Sequence, residues 1–422
     1  MKKVLSTAAF TLVYFLEPTL SSAANIEILI FDENGKFAEG NHLEEGASFR
    51  REMMQAFLHL GKRLDSDETI KVAVRAQDVP NGSASASPRY RGASNKEVNG
   101  TTILLLDEPA LDSIINGNTL PNCTPDIDVN IDVDKHYQYF AGFQLYSNSL
   151  VRGSFLHELG HGLGIVGNTQ TIFGSMSNVI GNFDPPRSSV GADTVIDVLG
   201  RQVRLRESWG SQPQSHIGTG ANYRLNFDGS VDSNFSNIFG EYENEDVMIS
   251  VTSSGPRYHQ SIHFTPIDMA ILRDIGYPTT PLNAVFFYDP DIDEIGFDVM
   301  NVNSLYVPFL RVADSLLSVH LTWDGGEKFT LLGIPNDSRP IELLNWQSDA
   351  SQKLNSPEAI FNASEGSLTI PNVEIYMDNT VQHFSMTLRI IPNTFPIKFV
   401  LESMTPAVTN GITPQITITN CD

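Results

Sequence analysis

Apolar residues recur at strand and helix periods through the first part of the chain. Residues 26–31, 69–76 and 101–106 are short runs rich in Ile, Val and Leu, which predict strands. Between the first two runs, apolar residues three or four positions apart predict an amphipathic helix. The order strand, helix, strand, strand predicts a layered α/β or α+β structure. The buried stripe of the helix consists of Phe49, Met53, Phe57, Leu60 and Leu64.

Strict alternation marks residues 126–134. The apolar residues fall on one face, and the acidic residues and Asn130 fall on the other, which predicts a strand with one wet face. A solvated outer face is the favoured interpretation of the acids. The alternative is an edge with which a substrate strand pairs. By composition, segment 80–95, PNGSASASPRYRGASN, predicts a loop.

Beyond about residue 278 alternation dominates the chain. Val319, Leu321 and Trp323 lead into the turn sequence DGGE, and KFTLLGI returns from it, which predicts a hairpin. Many short strands separated by turn residues predict a C-terminal antiparallel β-sandwich. We therefore expect a domain at 25–279 and a separately folding β-sandwich domain at 280–422. Further strands of the second domain are expected at 368–370, 384–390, 397–401 and 412–419.

Composition and charge narrow the class of protein. The chain has 422 residues, enough for two cores, and 41% of them are hydrophobic, which fits a packed interior. The formal net charge of −23 argues against nucleic acid or an anionic membrane as a partner. Nothing in the composition indicates an oligomeric state.

The N-terminus predicts a signal peptide. Lys2 and Lys3 precede a short apolar run, and small residues follow it, so we expect cleavage after Ala24 with Ser22 as the other small residue of the site. The run is shorter than the roughly 20 residues that a membrane span needs. We expect residues 1–24 to be removed and the protein to be exported, to the medium or the periplasm, without a membrane span. In such an oxidising compartment Cys123 and Cys421 are expected to form a disulfide.

Residues 157–161 have the order H-E-x-x-H within an apolar, helical context that ends in glycines. On a helix His157 and His161 share a face, so both imidazoles can bind one zinc ion. Zinc polarises a water molecule, and Glu158 is placed to take the proton of that water and pass it to a leaving amine. The motif therefore predicts one catalytic Zn²⁺ and peptide hydrolysis.

The motif leaves the third protein ligand open, because a catalytic zinc site usually has three. In the most familiar extended motif the third ligand is a His six residues after the second, but Gly167 occupies that position. No Glu occurs between Leu159 and Arg206, which disfavours a Glu ligand on the next helix. His216 lies in the long polar segment that follows the motif helix. The other possibilities are His136, His259, His263, Asp184, Asp193 and Asp197.

Four segments in order carry a family resemblance: HELGHGLG, the delayed SH at 215–216, DVM at 246–248 and TPIDMAILRDIGYP at 265–278. Together they resemble the leishmanolysin-like branch of the metzincin metallopeptidases. The resemblance implies an α+β domain with a twisted mixed sheet and an active-site helix. It also implies His157, His161 and His216 as zinc ligands, Glu158 as base and Met248 in a turn beneath the metal. No Tyr lies two residues after Met248, which leaves Tyr258, His259 and His263 as oxyanion-stabilising possibilities.

The sequence thus predicts a secreted zinc endopeptidase that acts on protein or peptide substrates through a zinc-activated water. The alternative is a secreted binding or adhesion protein that keeps a metallopeptidase-like fold with little or no catalysis. The intact Glu158 disfavours that alternative.

Overall fold

The structure is a computed structural model of the chain. It describes residues 22–31, 43–80, 84–89, 92–98, 101–107, 109–135, 148–164, 172–174, 179–181, 194–198, 201–205, 224–225, 231–232, 263–264, 268–269, 272, 276–280, 282–287, 304–312, 315–323, 327–331, 359–377, 380–395, 397–407 and 413–421.

The described elements of the N-terminal part are three helices and twelve short strands. In chain order they are β1 (Asn25–Phe31), α1 (Leu43–Arg63), β2 (Thr69–Ala76), β3 (Ala84–Pro88), β4 (Gly92–Val98), β5 (Thr101–Asp107), α2 (Pro109–Asn116), β6 (Ile127–Ile131), α3 (Asn148–Gly162), β7 (Ile172–Gly174), β8 (Val179–Gly181), β9 (Thr194–Val198), β10 (Arg201–Leu205), β11 (Arg224–Leu225) and β12 (Val231–Asp232).

Strands alone make up the described elements of the C-terminal part. They are β13 (Ala284–Phe287), β14 (Ser304–Val312), β15 (Ser315–Trp323), β16 (Lys328–Leu331), β17 (Ala359–Asn362), β18 (Ser367–Met377), β19 (Thr380–Ile390), β20 (Lys398–Pro406) and β21 (Ile416–Asn420).

The first sheet is mixed and has the strand order β21-β1-β2-β6-β3. Its first four members are parallel, and β3 is antiparallel to β6 at one end. α1 packs against β1 and α3, α2 against β2, and α3 against β6 and β3. The prediction of an α+β structure is therefore confirmed at this level.

The core between this sheet and the helices is built from the apolar runs that predict strands. Ile26, Ile28 and Val72 are among the strand residues that point into it, and the described residues of the helical stripe are buried against them. Burial of such side chains contributes about 1.5–3 kcal/mol each. Met53, Phe57, Leu60 and Leu64 are the stripe residues whose side chains are described as buried.

Segment 80–95 is not a loop, so that prediction is wrong. It contains β3, which pairs with β6, and β4, which pairs with β5 in a second sheet of order β4-β5-β8-β7. The small Ala and Ser side chains of β3 give no apolar alternation. Pairing with a neighbouring strand, which composition does not reveal, makes residues 84–88 and 92–95 extended. Two further antiparallel pairs, β9–β10 and β11–β12, each form a two-stranded sheet.

The C-terminal strands form one sheet that closes on itself. Its order is β13-β14-β15-β16-β20-β19-β18-β17, and β14 also pairs with β17, so seven strands complete a barrel-like ring. Leu305, Leu321 and Leu388 belong to the core inside it. The predicted DGGE hairpin is confirmed, with Trp323 opposite Phe329. The described C-terminal strands thus form one closed sheet. The sequence predicted a sandwich, in which two sheets stack on each other.

The last strand lies in the first sheet and not with the other C-terminal strands. β21 runs parallel to β1, and the Cys421 N–H donates to the Ile30 carbonyl at 3.0 Å. The predicted disulfide between Cys123 and Cys421 is present. Alternation predicts that residues 412–419 are a strand, but it contains no information about which sheet the strand joins.

A buried polar network connects α1 with β18. Arg63 and Glu374 form an ion pair with both side chains buried, and Asn283 donates to the other carboxylate oxygen at 3.0 Å. Tyr376 donates to Glu374 at 3.0 Å and lies 3.3 Å from His59 Nδ1. Burial raises the pKa of Glu374, but Arg63 and Lys62 outweigh it and hold that pKa below its usual range. The two parts of the chain therefore share a fully buried charge pair.

None of the described helices has the length and hydropathy of a membrane-spanning segment.

Candidate metal centre

α3 holds the H-E-x-x-H motif close to the first sheet. Phe155 and Leu159 are buried in the core beneath it. A Cβ on Gly162 would lie 2.2 Å from Ile127 Cγ2, so only glycine permits this approach of helix and strand. Gly164 has φ +95°, and its N–H donates to the His161 carbonyl at 2.9 Å. The predicted glycine end of the helix is confirmed, and it lies directly after the second histidine.

The two histidines of the motif face each other. His157 Nε2 and His161 Nε2 are 3.1 Å apart, and the rings are nearly perpendicular at 88°. Two nitrogen ligands at about 2.0–2.1 Å from a tetrahedral zinc ion are roughly 3.3 Å apart. The spacing and the donor chemistry of the pair therefore fit two ligands of one zinc ion.

Glu158 lies between the histidines in the sequence and is buried, with 8% of its surface exposed. Burial raises the pKa of Glu158 to about 8, and a hydrogen bond from the Ala86 backbone N–H opposes this shift. A cation held by the two histidines would also favour the carboxylate form. A carboxyl group whose pKa is close to neutrality is suited to accept and return a proton.

The bond from Ala86 shows how β3 faces the motif. The Arg89 N–H donates to the Asp126 carbonyl. Hydrogen bonding alternates along an antiparallel pair, so the second and fourth residues before Arg89 also direct their backbone N–H and C=O groups toward β6. Ala86 therefore directs its N–H away from β6, toward Glu158. Within the described strands β3 is the end of the first sheet, so its outward side lies along α3. The strand considered from the sequence as an edge for substrate, β6, is an inner strand between β2 and β3.

The acids of residues 126–134 bind protein groups. Asp126 accepts from the Lys71 N–H at 2.9 Å and from the Ser113 hydroxyl at 3.1 Å. Asp128 accepts from Arg75 at 3.2 Å and also pairs with Arg89. Asp132 follows the end of the strand and accepts from the Lys135 N–H at 2.9 Å, which caps a short turn. These contacts make the acidic face structural.

A buried ion pair holds α3 against α1. Arg152 and Glu52 pair with 1% and 0% of their side chains exposed. The Arg152 guanidinium also lies over the Phe287 ring of β13, with Cζ 4.2 Å from the ring centre. Arg152 thus connects the motif helix both to α1 and to the C-terminal sheet.

His263 is one predicted site residue that the structure packs elsewhere. It is buried against Tyr306, with ring centres 4.1 Å apart, and against Phe287 at 6.3 Å. Asp197 lies in β9, opposite Gln202 of β10. The remaining predicted residues of the site lie outside the described part of the chain: His216, Met248, Tyr258, His259, His136, Asp184 and Asp193.

Among the described residues, no three His, Cys, Asp or Glu side chains are grouped as a metal site requires. The described part of the centre is therefore the pair His157 and His161 with Glu158 between them. A third protein ligand would have to come from the rest of the chain, which includes His216.

The segment 265–278, which gave part of the resemblance, is described at some positions. Asp268, Met269 and Leu272 are helical, and Leu272 and Tyr277 are buried in the first core. Gly276 has φ +112°, as expected of a glycine at a helix end. The segment therefore packs under the same core as α3.

Comparison with known proteins gives no relative: no protein family, no curated protein and no solved structure matches the chain.

Two contributors to the site were not expected from the sequence. Ala86 acts through its backbone N–H, and a backbone donor has no side-chain signature. Glu52 and Arg152 lie on different helices 100 positions apart, and only the packing of α1 on α3 brings them together. The sequence contains no indication of this pair, because the need of a charged residue for a partner becomes visible only once its burial is known.

Proposed function

We propose that the protein is an exported zinc-dependent endopeptidase that hydrolyses protein or peptide substrates. The observation that carries the proposal is the pair of Nε2 atoms, 3.1 Å apart, with the buried Glu158 beside them on the same helix. When bound, zinc would act as a Lewis acid that activates water toward a carbonyl carbon. His157 and His161 would hold it, with His216 proposed as the third ligand from the resemblance to metzincins.

Glu158 has the proton-transfer role in this proposal. Its carboxylate would accept the proton of the attacking water and donate it to the departing amine. Burial supports this role because it raises the pKa of Glu158 to about 8 and so prevents the group from being a permanent anion in the metal-free protein. The Ala86 N–H orients the carboxylate by holding one of its oxygens.

The position of β3 supports a peptide as the substrate. An extended chain that pairs with the part of β3 not covered by α3 would run toward Ala86, whose N–H is held by Glu158, and therefore toward the motif. Such strand addition binds main-chain groups without regard to side chains, which suits an enzyme that accepts many sequences. Short Ala and Ser side chains on β3 also leave room beside the motif.

The central test is Glu158→Gln, which keeps a neutral acceptor for the Ala86 N–H but removes the base. We expect the variant to retain zinc at the level of the parent and to hydrolyse an unfolded mixed protein substrate about 10²–10⁴-fold more slowly. Glu402→Gln, on the exposed face of β20, is the matched control and should keep full activity. Undiminished hydrolysis by Glu158→Gln would exclude Glu158 as the base.

The ligand set is tested by zinc stoichiometry after dialysis against a mild chelator. His157→Ala, His161→Ala and His216→Ala should each lose the metal, whereas His136→Ala and His259→Ala should keep it, because the latter residues are not in the proposed set. If His216→Ala holds one zinc as tightly as the parent, the third ligand is another residue. If the parent holds zinc but hydrolyses no protein substrate, the protein is better described as a binding or adhesion protein.

A further inference from the structure

The residues directly before β1 are part of the folded structure. Ala23 and Ala24 are both buried. The Ala24 N–H donates to the Gly61 carbonyl at 3.0 Å and to the Leu64 carbonyl at 3.1 Å. Ser22 donates to Asp65 Oδ1 through its backbone N–H at 3.0 Å and through its hydroxyl at 3.2 Å. Three consecutive residues are thus tied to the end of α1.

Packing around Gly61 supports the same conclusion. A Cβ on Gly61 would lie 2.6 Å from the Ala24 carbonyl oxygen and 2.7 Å from Pro414 Cβ. The segment 22–24 therefore fills a narrow space between α1 and the chain that leads into β21. Asn25 continues these contacts: its N–H donates to the Glu68 carbonyl at 2.9 Å, and its side chain accepts from the Gln415 N–H at 3.2 Å.

Removal of the signal peptide by cleavage after Ala24 would eliminate these contacts. The backbone groups of Gly61 and Leu64 would lose a buried donor, and the space filled by two alanines would open to water. Each carbonyl would keep a second donor, the Leu64 N–H at 3.4 Å or the Ser66 N–H at 3.1 Å, so the loss is that of the Ala24 hydrogen bonds and of the burial of two alanines. A cut that preserves segment 22–24 therefore keeps these contacts, whereas the cut after Ala24 expected from the sequence alone would lose them.

We propose that the leader is removed at the Ser21–Ser22 bond, so that the mature chain begins at Ser22. Leader-processing peptidases require small residues at the first and third positions before the bond, and here these positions are Ser21 and Thr19. Water adds across the amide, which leaves a carboxylate on Ser21 and an ammonium group on Ser22. The new ammonium group already has its partner, because the Ser22 nitrogen is 3.0 Å from Asp65 Oδ1.

The proposal rests on the export of the protein and not on its zinc chemistry. The experiment is N-terminal sequencing and intact-mass measurement of the full-length protein recovered from the exported fraction. Ser22 as the first residue supports the proposal. Asn25, any other first residue or an unprocessed chain overturns it. The hydrolysis and zinc assays decide the peptidase proposal independently of this result.

Two substitutions distinguish the cleavage sites directly. Ser21→Leu places a large residue immediately before the proposed bond, so processing at Ser22 should be abolished and the precursor should accumulate. Ser22→Leu is the matched variant: it lies after the proposed bond but third before the Ala24 cut, and it should be processed like the parent. Normal processing of Ser21→Leu together with a block in Ser22→Leu would show that the cut follows Ala24.

Discussion

At the residue scale, the candidate metal centre depends on the close contact of Gly162 with Ile127, which leaves no space for a side chain at position 162. Gly162 follows His161 directly, and the space for its Cβ is occupied by Ile127 of β6. Ile127 is in turn fully buried in the first core. The distance between the motif helix and the sheet is therefore set by one glycine, and the position of His161 depends on it.

We predict that Gly162→Ala destabilises the protein by about 1–3 kcal/mol, the usual cost of overpacking a core. Ile127→Ala removes Cγ2 and should relieve the clash, so the double variant should be more stable than the sum of the single effects implies. Chemical unfolding of the four proteins measures this coupling. Additive effects would mean that the helix moves away from β6 freely.

His59 is the residue whose titration should be visible in stability. Burial lowers its pKa well below the usual value, with nearby Arg63 acting in the same direction. Its Nε2 accepts the Phe264 N–H at 2.9 Å, so Nδ1 holds the proton that faces Tyr376. A protonated His59 would lose the first bond and place a second cation beside Arg63.

The folded pKa of His59 is therefore below the unfolded value of about 6.5, and only the unfolded chain takes up this proton as pH falls below 6.5. Stability should be independent of this group above pH 6.5 and should decrease below it, by at most about 1.4 kcal/mol per pH unit. Urea unfolding of the metal-free protein between pH 5 and 7 tests this. In His59→Gln the free energy of unfolding should change less steeply with pH, by an amount that corresponds to one proton. Equal slopes of unfolding free energy against pH in both proteins would contradict the assignment.

At the element scale, local pattern predicted which segments form elements but not how they pair. β2 is found where its apolar run predicts it, and β1 and β5 differ from their predicted bounds by a single residue at one end. β3 was missed because Ala and Ser give no alternation. The parallel pairings β13–β18 and β14–β17, which close the C-terminal sheet, join residues distant in sequence and leave no local trace.

The same division holds for the candidate site. The i, i+4 geometry of His157 and His161 follows from helix periodicity alone, so the sequence predicted it. The environment of Glu158 depends on β3, whose existence and register came only from tertiary pairing. The burial that raises the pKa of Glu158 was therefore not predictable from the motif.

Packing of α3 on α1 should depend on the pair of Glu52 and Arg152. Removal of one partner leaves a buried charge, and we expect Arg152→Met or Glu52→Gln to cost about 3–5 kcal/mol each. The double variant leaves no unpaired charge and should be less destabilised than the sum. Chemical unfolding measures the cycle, with Arg389→Met as the control, because that exposed pair with Glu402 should have little effect. Additive losses would show that the two residues act separately.

At the scale of the whole molecule, the C-terminal segment completes the N-terminal part. β21 is the fourth parallel strand of the first sheet, and the disulfide joins Cys421 to Cys123 across a separation of 298 residues. In the chain-entropy model, closing so long a loop stabilises the folded state by about 6 kcal/mol, an upper figure because strain in the native state reduces it. Glu374 supplies the partner of the fully buried Arg63. These connections cross the boundary expected near residue 280, so the separate folding of the residues after it stays a prediction to be tested.

The last prediction follows from those connections and uses two shortened chains. A chain that ends at Thr280 loses β21, Cys421 and Glu374, so Arg63 loses its ion-pair partner and one side of β1 is uncovered. It should show no cooperative thermal unfolding and should not retain zinc. A chain that ends at Ala407 keeps the pair of Arg63 and Glu374 and loses only β21 and the disulfide, so it should unfold cooperatively at a lower temperature than the full chain. Circular dichroism and zinc stoichiometry measure both. A chain ending at Thr280 that unfolds cooperatively and holds one zinc ion would show that the peptidase part is complete without the C-terminal sheet.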